Sequence, residues 1–266
     1  MLTIYTIENK IVWITGASGG IGEGLAYALA QKNCQLILSA RNEENLNRVK
    51  NNCKTQFVEL LPLDLIEFDQ ASNHVEKAIS FFGKIDILIN NGGISQRSLL
   101  AETAFEVDKK LIEVDYLGTV ALTKALLPHF IKNKAGTFVT ITSLMGKFGS
   151  PYRSGYCGAK HALHGFFDVL RMEHQKDNIQ VTLICPGFIQ TNVAKNALTA
   201  DGSKQNTDDE ATQNGMPVAV FAQKLIRAVE KEQFEATIGG KETLGVLLKR
   251  FFPTFLHYFV LRSKVR

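Results

Sequence analysis

The chain has 266 residues, of which 45% are hydrophobic and 21% are charged, so it is neither a disordered nor a fibrous protein. Its formal net charge of +4 is too small for an evenly spread basic surface, and we expect no nucleic-acid partner. No stretch reaches the roughly 20 apolar residues of a membrane-spanning helix.

Short apolar segments rich in branched residues alternate with longer segments of helical periodicity, which is typical of a parallel sheet between two layers of helices. The predicted strands cover residues 11–15, 35–39, 57–61, 86–90, 137–142, 180–184 and 236–238. The predicted helices cover residues 20–32, 43–52, 69–82, 104–132, 153–176 and 217–232. Because each crossover is long enough for a helix, neighbouring strands should be parallel with right-handed connections. We predict one α/β domain over residues 1–240, a doubly wound, seven-stranded parallel sheet with helices on both faces.

A glycine-rich motif, TGASGGIG, follows the first predicted strand and precedes an apolar helix. Its glycines permit a tight turn, close approach of a pyrophosphate and tight packing of the helix. This context predicts a dinucleotide site, although an ordinary strand-to-helix turn is the alternative. The predicted cofactor contacts in it are Thr15, Gly16, Ser18, Gly20, Ile21 and Gly22.

The end of the second predicted strand indicates which dinucleotide binds. Folds that prefer NAD place an acidic residue there to accept from the ribose 2′-hydroxyl, whereas this chain has Ser39-Ala40-Arg41. Arg41 can pair with a 2′-phosphate. We therefore predict NADP (NADPH) as the cofactor; a solvated surface arginine is the alternative.

Tyr156 and Lys160 are four residues apart on a predicted helix, so their side chains share one helical face. Ser143 lies at the end of the preceding predicted strand. The carboxyl ends of strands in a doubly wound sheet line the cofactor crevice. We therefore expect Ser143, Tyr156 and Lys160 to converge on one bound group.

One segment interrupts the alternation of strands and helices. After Thr191 the chain becomes polar and irregular as far as Gly215. A stretch of this length without regular structure is usually a lid, a binding loop or disordered. We interpret about residues 188–216 as a lid.

The C-terminal residues 241–266 contain six basic residues against one acidic residue, a net charge of +5. The eleven residues from Phe251 to Leu261 include none that is charged, too few to span a bilayer but enough for an interfacial helix that Pro253 kinks or divides. We predict a basic amphipathic helical tail with peripheral membrane contact through residues 243–266; a helix over the substrate cleft or a dimer seam are the alternatives. The predicted apolar stripe is Leu244, Leu247, Leu248, Phe251, Phe255 and Phe259, and the basic residues off it are Lys249, Arg250, Arg262, Lys264 and Arg266.

Six motifs occur in order: TGASGGIG, Asp64-Leu65, NNGG at 90–93, Ser143, Tyr156-x-x-x-Lys160 and Pro186-Gly187. With them, residues 8–240 resemble the short-chain dehydrogenase/reductase family. The stretches PYRSGYCGAKHALHGFFDVLR and PGFIQTNVAKNALTADGS resemble its dehydrogenase/reductase member 7 branch. The resemblance implies a Rossmann domain with an integrated substrate site, assembled as a homodimer or homotetramer.

The resemblance also implies a role for each matching residue. Tyr156 would protonate a carbonyl oxygen during reduction and act as the base in reverse. Lys160 would favour the phenolate and hold the nicotinamide ribose, and Ser143 would hydrogen-bond the substrate oxygen. Further cofactor contacts, from the adenine to the nicotinamide, would be Asp64, Leu65, Asn91, Gly92, Pro186, Gly187, Ile189 and Thr191.

Two positions depart from the family pattern. The family's NNAG reads NNGG here, which we expect to loosen the turn without removing side chains. The asparagine of V-N-x-x-G, which completes the family's proton-relay tetrad, is Asp115. Its backbone carbonyl can keep the relay role, so Asp115 counts among the catalytic candidates. An ionised Asp115 near Lys160 would, however, oppose the positive field of the lysine.

The remaining candidates receive structural interpretations. His161 and His164 lack a third ligand, so we expect packing or a subunit contact and no metal. The cysteines are far apart with no C-x-x-C pair, which argues against a zinc site or a disulfide framework. With no signal-peptide pattern at the start of the sequence, they favour a cytoplasmic protein, peripheral at a membrane if the tail binds one. The cysteines are Cys34, Cys53, Cys157 and Cys185.

Together these features favour an NADP(H)-dependent oxidoreductase that interconverts an apolar ketone or aldehyde and its alcohol. The alternative is an NADP-binding sensor or interaction protein with little turnover, for which Asp115 is the only sequence support. A sugar-nucleotide epimerase is a third interpretation, but such enzymes carry an additional C-terminal substrate domain that a sequence of 266 residues does not accommodate.

Overall fold

A computed structural model describes residues 5–263 of the chain. Within these residues seven strands form one parallel sheet in the order β3-β2-β1-β4-β5-β6-β7. The predicted doubly wound sheet is therefore confirmed, and each strand bound lies within two residues of its prediction. The strands are β1 Ile11–Thr15, β2 Gln35–Ser39, β3 Val58–Leu60, β4 Ile87–Asn90, β5 Gly136–Ile141, β6 Ile179–Pro186 and β7 Glu235–Ile238.

Helices cover both faces of the sheet because alternate side chains of each strand point to opposite sides. In β1, Val12 and Ile14 pack on the side of α1, α2 and α8, whereas Ile11 and Trp13 pack on the side of α3, α5 and α6. The helices are α1 Gly20–Ala30, α2 Glu43–Asn52, α3 Ala71–Phe82, α4 Phe105–Ile112, α5 Gly118–Asn133, α6 Ser154–Glu173, α7 Glu210–Gln213, α8 Val218–Glu230, α9 Leu244–Phe251 and α10 Pro253–Arg262.

The predicted helix over residues 104–132 is present as one helical stretch from Phe105 to Asn133, but its hydrogen bonding changes part-way along. A π-helical turn, Glu113–Leu117, joins α4 to α5. Apolar periodicity did not reveal it, because Leu111, Val114 and Leu122 are all buried as one continuous helix would require. Asp115 lies in this turn and is completely buried. Turns of this kind often mark functional positions.

The segment 188–216 is irregular, as predicted, but parts of it are buried against the rest of the protein. It contains the short helix α7, and Ala194, Ala197 and Leu198 are buried. Leu198 forms a parallel β-bridge with Gln96 in the loop after β4. These contacts were hidden in the sequence because much of the segment is polar. Its role as a lid stays a prediction.

The tail forms two helices, α9 and α10. Pro253 begins α10 and so divides the tail, whereas the other alternative predicted from the sequence was a kink within one helix. Its inner face packs on the turn after Ser143. Leu256 is buried against Leu144 and Phe148, and a Cβ at Gly245 would lie 2.8 Å from Phe148 Cζ. A larger residue at 245 would therefore displace the ring of Phe148.

The outer face of the tail is apolar and open. Its eight large side chains are each 57% to 64% exposed, so within the described chain no other segment covers them. Leu248, predicted in the stripe, is instead partly buried on the inner face. Lys264 and Arg266 lie outside the described residues. Among the described helices, none is long and apolar enough to cross a membrane. The exposed side chains are Leu244, Leu247, Phe251, Phe252, Phe255, Tyr258, Phe259 and Leu261.

Candidate active site

The glycine-rich loop is built so that only glycine fits at its contact points. Gly16 has φ +65°, and a Cβ there would lie 2.8 Å from Gly92 Cα. A Cβ at Gly22 would lie 2.3 Å from the carbonyl oxygen of Gly16. The loop thus brings bare backbone to the N-terminus of α1, where unpaired N–H groups attract anions. These residues fit the pyrophosphate of a dinucleotide.

Asn91 and Thr15 hold this loop to the end of β4. The Asn91 side-chain amide donates to the carbonyl oxygens of Thr15 and Gly16 at 3.0 and 3.1 Å. The Thr15 hydroxyl accepts from the N–H groups of Asn91 and Gly92, both at 3.0 Å. Asn91, predicted at the adenosine ribose, therefore has a second task, which is to position the glycine loop.

Arg48, on α2, also supports the glycine-rich loop, a role that the sequence did not reveal. Its guanidinium forms a two-point ion pair with Glu23 at 2.7 and 2.9 Å and donates to the carbonyl oxygen of Ser18 at 3.2 Å. The hydrogen bonds from Arg48 lower the pKa of Glu23. Because these partners are 25 and 30 residues from Arg48 in sequence, local spacing gave no signal.

The predicted nucleotide-discriminating residue lies at the adenine end of the site. Arg41 is 62% exposed, and its Nη1 lies 3.8 Å from Asp64 Oδ2 after β3. Leu65 follows Asp64 and is partly buried against α3 and α5. The predicted contacts Arg41, Asp64 and Leu65 are therefore neighbours at the carboxyl ends of β2 and β3.

The predicted nicotinamide contacts approach the glycine loop from the other side. Pro186 ends β6, Gly187 donates to Ile238 O at 2.9 Å, and Ile189 is buried. The side chain of Thr191 lies 3.3 Å from the position of a Cβ on Gly20. A groove of about 520 Å³ lies between α1 and α8; Gly20 and Thr191 line it, whereas Ser143, Tyr156 and Lys160 do not. Thr191 thus lies beside the start of α1, where the predicted pyrophosphate contacts also lie.

Ser143 and Tyr156 lie on elements that leave the end of β5. The Ser143 oxygen accepts the N–H of Met145 at 3.0 Å, which leaves its own hydroxyl hydrogen free to donate. Tyr156, in the first turn of α6, is partly buried in an apolar cluster with Val107, Leu111 and Leu198. The Nζ atom of Lys160 lies 5.6 Å from the centroid of the Tyr156 ring.

Lys160 forms a buried ion pair with Asp115, at 3.4 Å between Nζ and Oδ2. Lys160 also donates to Ile141 O at 3.3 Å, and Asp115 Oδ1 accepts from the N–H of Ile94 at 2.7 Å. Burial raises the pKa of Asp115, against the opposing effect of the Lys160 ammonium. Burial alone would lower the pKa of Lys160, but the Asp115 carboxylate and Tyr156 outweigh it and the net direction is upward.

Because the carboxylate of Asp115 opposes the field of Lys160 at Tyr156, Asp115→Asn should leave turnover equal or a few-fold higher. The acid limb of the rate-versus-pH curve for alcohol oxidation should move to lower pH, because the Lys160 ammonium, which the Tyr156 phenolate still favours, then acts on that phenolate without an opposing carboxylate. Initial rates from pH 5 to 10 measure both effects. A severe loss in the asparagine variant would show that the carboxylate has its own chemical role.

A buried ion cluster joins the segment 188–216 to the start of α6. Asp209 Oδ2 lies 2.6 and 2.9 Å from two nitrogens of Arg97, and 3.5 Å from Nη2 of Arg153, the residue before α6. All three side chains are buried. Burial and the neighbouring Arg97 lower the pKa of Arg153 to about 10. The sequence gave no signal of this cluster, because Asp209 lies in a polar stretch.

His161 and His164 make structural contacts, as predicted. His161 Nδ1 contacts the carbonyl oxygen of Cys157 at 2.8 Å. His164 lies near Cys185 and Glu235, three side chains close enough to share a cation. Glu235 is, however, paired with Lys147 at 2.8 Å, and burial raises the pKa of Cys185 to about 12. A metal would have to deprotonate this thiol to bind it, and the absence of a metal here stays a prediction.

The sequence model of the family described as short chain dehydrogenase matches residues 10–202, which include the glycine loop, Ser143, Tyr156 and Lys160. The chain belongs to the short-chain dehydrogenase/reductase family. Its membership makes the protein an oxidoreductase of this family.

Relatives of this short-chain dehydrogenase/reductase confirm the predicted resemblance to the member 7 branch. Dehydrogenase/reductase SDR family member 7 of Homo sapiens is 45% identical over 259 residues, 94% of this chain and 76% of the relative. Dehydrogenase/reductase SDR family protein 7-like of Drosophila melanogaster is 37% identical over 267 residues, 98% of this chain and 82% of the relative.

Solved structures of short-chain dehydrogenases confirm the fold. One from Streptomyces avermitilis matches with a TM-score of 0.80 at 24% identity, covering 94% of this chain and 96% of that chain. One from Burkholderia phymatum, solved in complex with NAD, matches with a TM-score of 0.84 at 20% identity over the same shares.

Proposed function

We propose that this oxidoreductase uses NADP(H) to interconvert an apolar ketone or aldehyde and its alcohol, with Tyr156 as the acid and base. The observation that supports it most is the closeness of Tyr156 and Lys160, at 5.6 Å between ring centroid and Nζ. They lie at the same edge of the parallel sheet as the glycine loop. A nicotinamide bound along that loop would supply or accept the hydride.

The protein's own residues handle the proton. During reduction Tyr156 gives its hydroxyl proton to the carbonyl oxygen, and Ser143 donates a hydrogen bond to the same oxygen. The ammonium of Lys160 stabilises the phenolate that remains. During oxidation the phenolate takes the proton of the alcohol.

The side chains around Tyr156 favour an apolar substrate. Tyr156 and Ile94 pack against the buried side chains of Val107, Leu111 and Leu198. The ring of Tyr156 therefore lies beside an apolar cluster, where a charged group would lose its hydration without a partner.

A panel of aromatic, aliphatic and steroidal carbonyls, assayed by NADPH oxidation, tests the proposal directly. We expect turnover with at least one class and none with a carboxylated analogue of the same ketone. Binding of NADPH without turnover of any carbonyl would instead favour the sensor, the function that the buried Asp115–Lys160 pair would suit.

The proposed preference for NADP depends on Arg41, whose exposed guanidinium at the end of β2 would pair with a 2′-phosphate. The double change Ala40→Asp with Arg41→Ser should invert the preference towards NAD, by about tenfold or more in the ratio of dissociation constants. Titration with NADPH and NADH measures it. Lys50→Ser, a change of a basic residue on the following helix α2, is the matched control. Equal affinity of the unmodified protein for both nucleotides would contradict the role of Arg41.

We further propose that the protein is cytoplasmic and that its tail contacts membrane surfaces. The outer face of α9 and α10 carries eight exposed apolar side chains beside Lys249, Arg250 and Arg262. Acyl chains suit the apolar side chains, and anionic headgroups attract the cations by about 1 kcal/mol for each basic residue near the surface.

The intact protein should therefore co-sediment with anionic vesicles at low salt and be released as salt screens the charges. Deletion of residues 243–266 should abolish binding, but it also uncovers Leu144 and Phe148. The double change Phe255→Ser with Phe259→Ser is cleaner, and Phe105→Ser on α4, at a side chain that is 77% exposed, is its control. Intact protein that stays in the supernatant would contradict the membrane proposal.

A further inference from the structure

The first turn of α6 carries Tyr156 but has no cap of its own. The leading N–H groups of any helix lack partners within the helix and need acceptors from elsewhere. The residue before α6, Arg153, makes no side-chain hydrogen bond to this turn. The position of Tyr156 therefore depends on what else accepts these N–H groups.

The acceptor is the side chain of Gln96, from the loop after β4. Its Oε1 accepts the N–H of Gly155 at 2.9 Å and the N–H of Tyr156 itself at 3.4 Å. Gln96 is completely buried, so no water competes for these bonds. A residue 60 positions away in sequence thus holds the backbone of Tyr156.

The Gln96 carboxamide has only one orientation that satisfies its neighbours. Its Nε2 lies 3.2 Å from the hydroxyls of Ser98 and Thr103 and 3.3 Å from that of Ser154, so each of its two hydrogens has an acceptor among them. A flipped amide would point its NH₂ group at the two N–H groups of α6, and donor would face donor. The bonds to Gly155 and Tyr156 are therefore fixed from the other end of the same side chain.

The backbone around Gln96 is fixed as well. The N–H of Arg97 donates to Leu198 O, and the N–H of Leu198 donates to Ser95 O, both at 2.8 Å. Leu198 also packs beside Tyr156 in the apolar cluster. Residues 95–97 thus contact both the segment 188–216 and the helix that carries Tyr156.

We propose that Gln96 is the positioning residue of Tyr156: its buried carboxamide caps α6 and sets where the Tyr156 hydroxyl stands relative to Ser143 and Lys160. The inference rests on the proposed function for its kinetic consequence, although the capping itself can be measured without turnover. A displacement of about 1 Å in a reacting group can cost about a hundredfold in rate.

Two variants of nearly equal size test this. Gln96→Met removes both acceptor and donor, whereas Gln96→Glu keeps an oxygen for the N–H groups of Gly155 and Tyr156, and a negative charge suits a helix N-terminus. Thr137→Val is the control, because it removes a hydrogen bond with Tyr5 at the start of β5, far from Ser143 at its end.

In the intact protein, hydrogen exchange should show the amides of Gly155 and Tyr156 protected. Gln96→Met should raise their exchange at least tenfold and lower kcat about ten- to a hundredfold, with KM changed less than about threefold, and should move the acid limb of the oxidation rate to higher pH. Gln96→Glu should restore protection and most of kcat, and Thr137→Val should leave both unchanged.

Unchanged protection of the Gly155 and Tyr156 amides in Gln96→Met would overturn the inference. It would also be overturned if Thr137→Val lost as much thermal stability as Gln96→Met and showed the same loss of kcat. If the unmodified protein reduces no carbonyl, the proposed function fails, while amide exchange at Gly155 and Tyr156 still decides whether Gln96 holds the turn.

Discussion

Turnover in Tyr156→Phe should fall by a factor of about 10² to 10⁴, because the variant lacks the group that exchanges a proton with the substrate oxygen. The phenyl ring keeps its packing against Val107, Leu111 and Leu198. Lys160 and the glycine loop are untouched, so affinity for NADPH should change little. Initial rates of NADPH oxidation and a nucleotide titration on the same preparation measure the two quantities.

Tyr5→Phe is the matched control for this change. It removes a hydroxyl that hydrogen-bonds to Thr137 at the start of β5, whereas Ser143 follows the other end of this strand. Turnover should therefore be unaltered. Near-normal turnover in Tyr156→Phe would contradict the assignment of Tyr156 as acid and base. An equal loss in both variants would point to a general effect of tyrosine hydroxyls on folding instead.

Asp209→Asn should lower the free energy of unfolding by about 3–5 kcal/mol, since removing one partner of a buried ion pair leaves uncompensated charge. Here two arginines, Arg97 and Arg153, lose the carboxylate they share. Chemical denaturation followed by circular dichroism measures the loss. We expect proteolysis of the folded variant to begin within residues 188–216, whose attachment to α6 passes through Asp209.

Asp208→Asn is the control for that experiment. Asp208 is the neighbouring carboxylate but is exposed, so its loss should change stability by no more than about 0.5 kcal/mol. If both asparagine variants unfold at the same denaturant concentration, the buried cluster contributes nothing to stability.

Local pattern was sufficient to predict the sheet and the residues that end its strands. Branched apolar runs are bounded by charged or glycine-rich segments, so β1 and β2 were predicted at their observed bounds. Local pattern also predicted Ser143, Tyr156 and Lys160 as candidate site residues, because helical spacing and strand ends determine which side chains lie close together. Their distances to one another, and the 3.4 Å between Lys160 and Asp115, needed the fold.

The features that the sequence did not reveal depend on contacts between segments that are far apart in sequence. Gln96 and Asp209 are polar residues in irregular stretches, and nothing within ten residues of either indicates that it is buried. Their partners lie 60 and 112 positions away. The π-helical turn at Asp115 escaped for another reason, since its apolar neighbours keep the periodicity of an ordinary helix.

The single tryptophan of the chain gives the protein an internal optical reporter. Trp13 is completely buried in the interior strand β1, and its indole N–H donates to Ser39 Oγ at 2.8 Å. It stands two residues before Thr15, roughly 7 Å along the strand from the glycine loop. Reduced nicotinamides absorb in the range where buried indoles emit, so a nucleotide on that loop should quench Trp13 by energy transfer. The affinity of every variant described above can then be read from unlabelled protein.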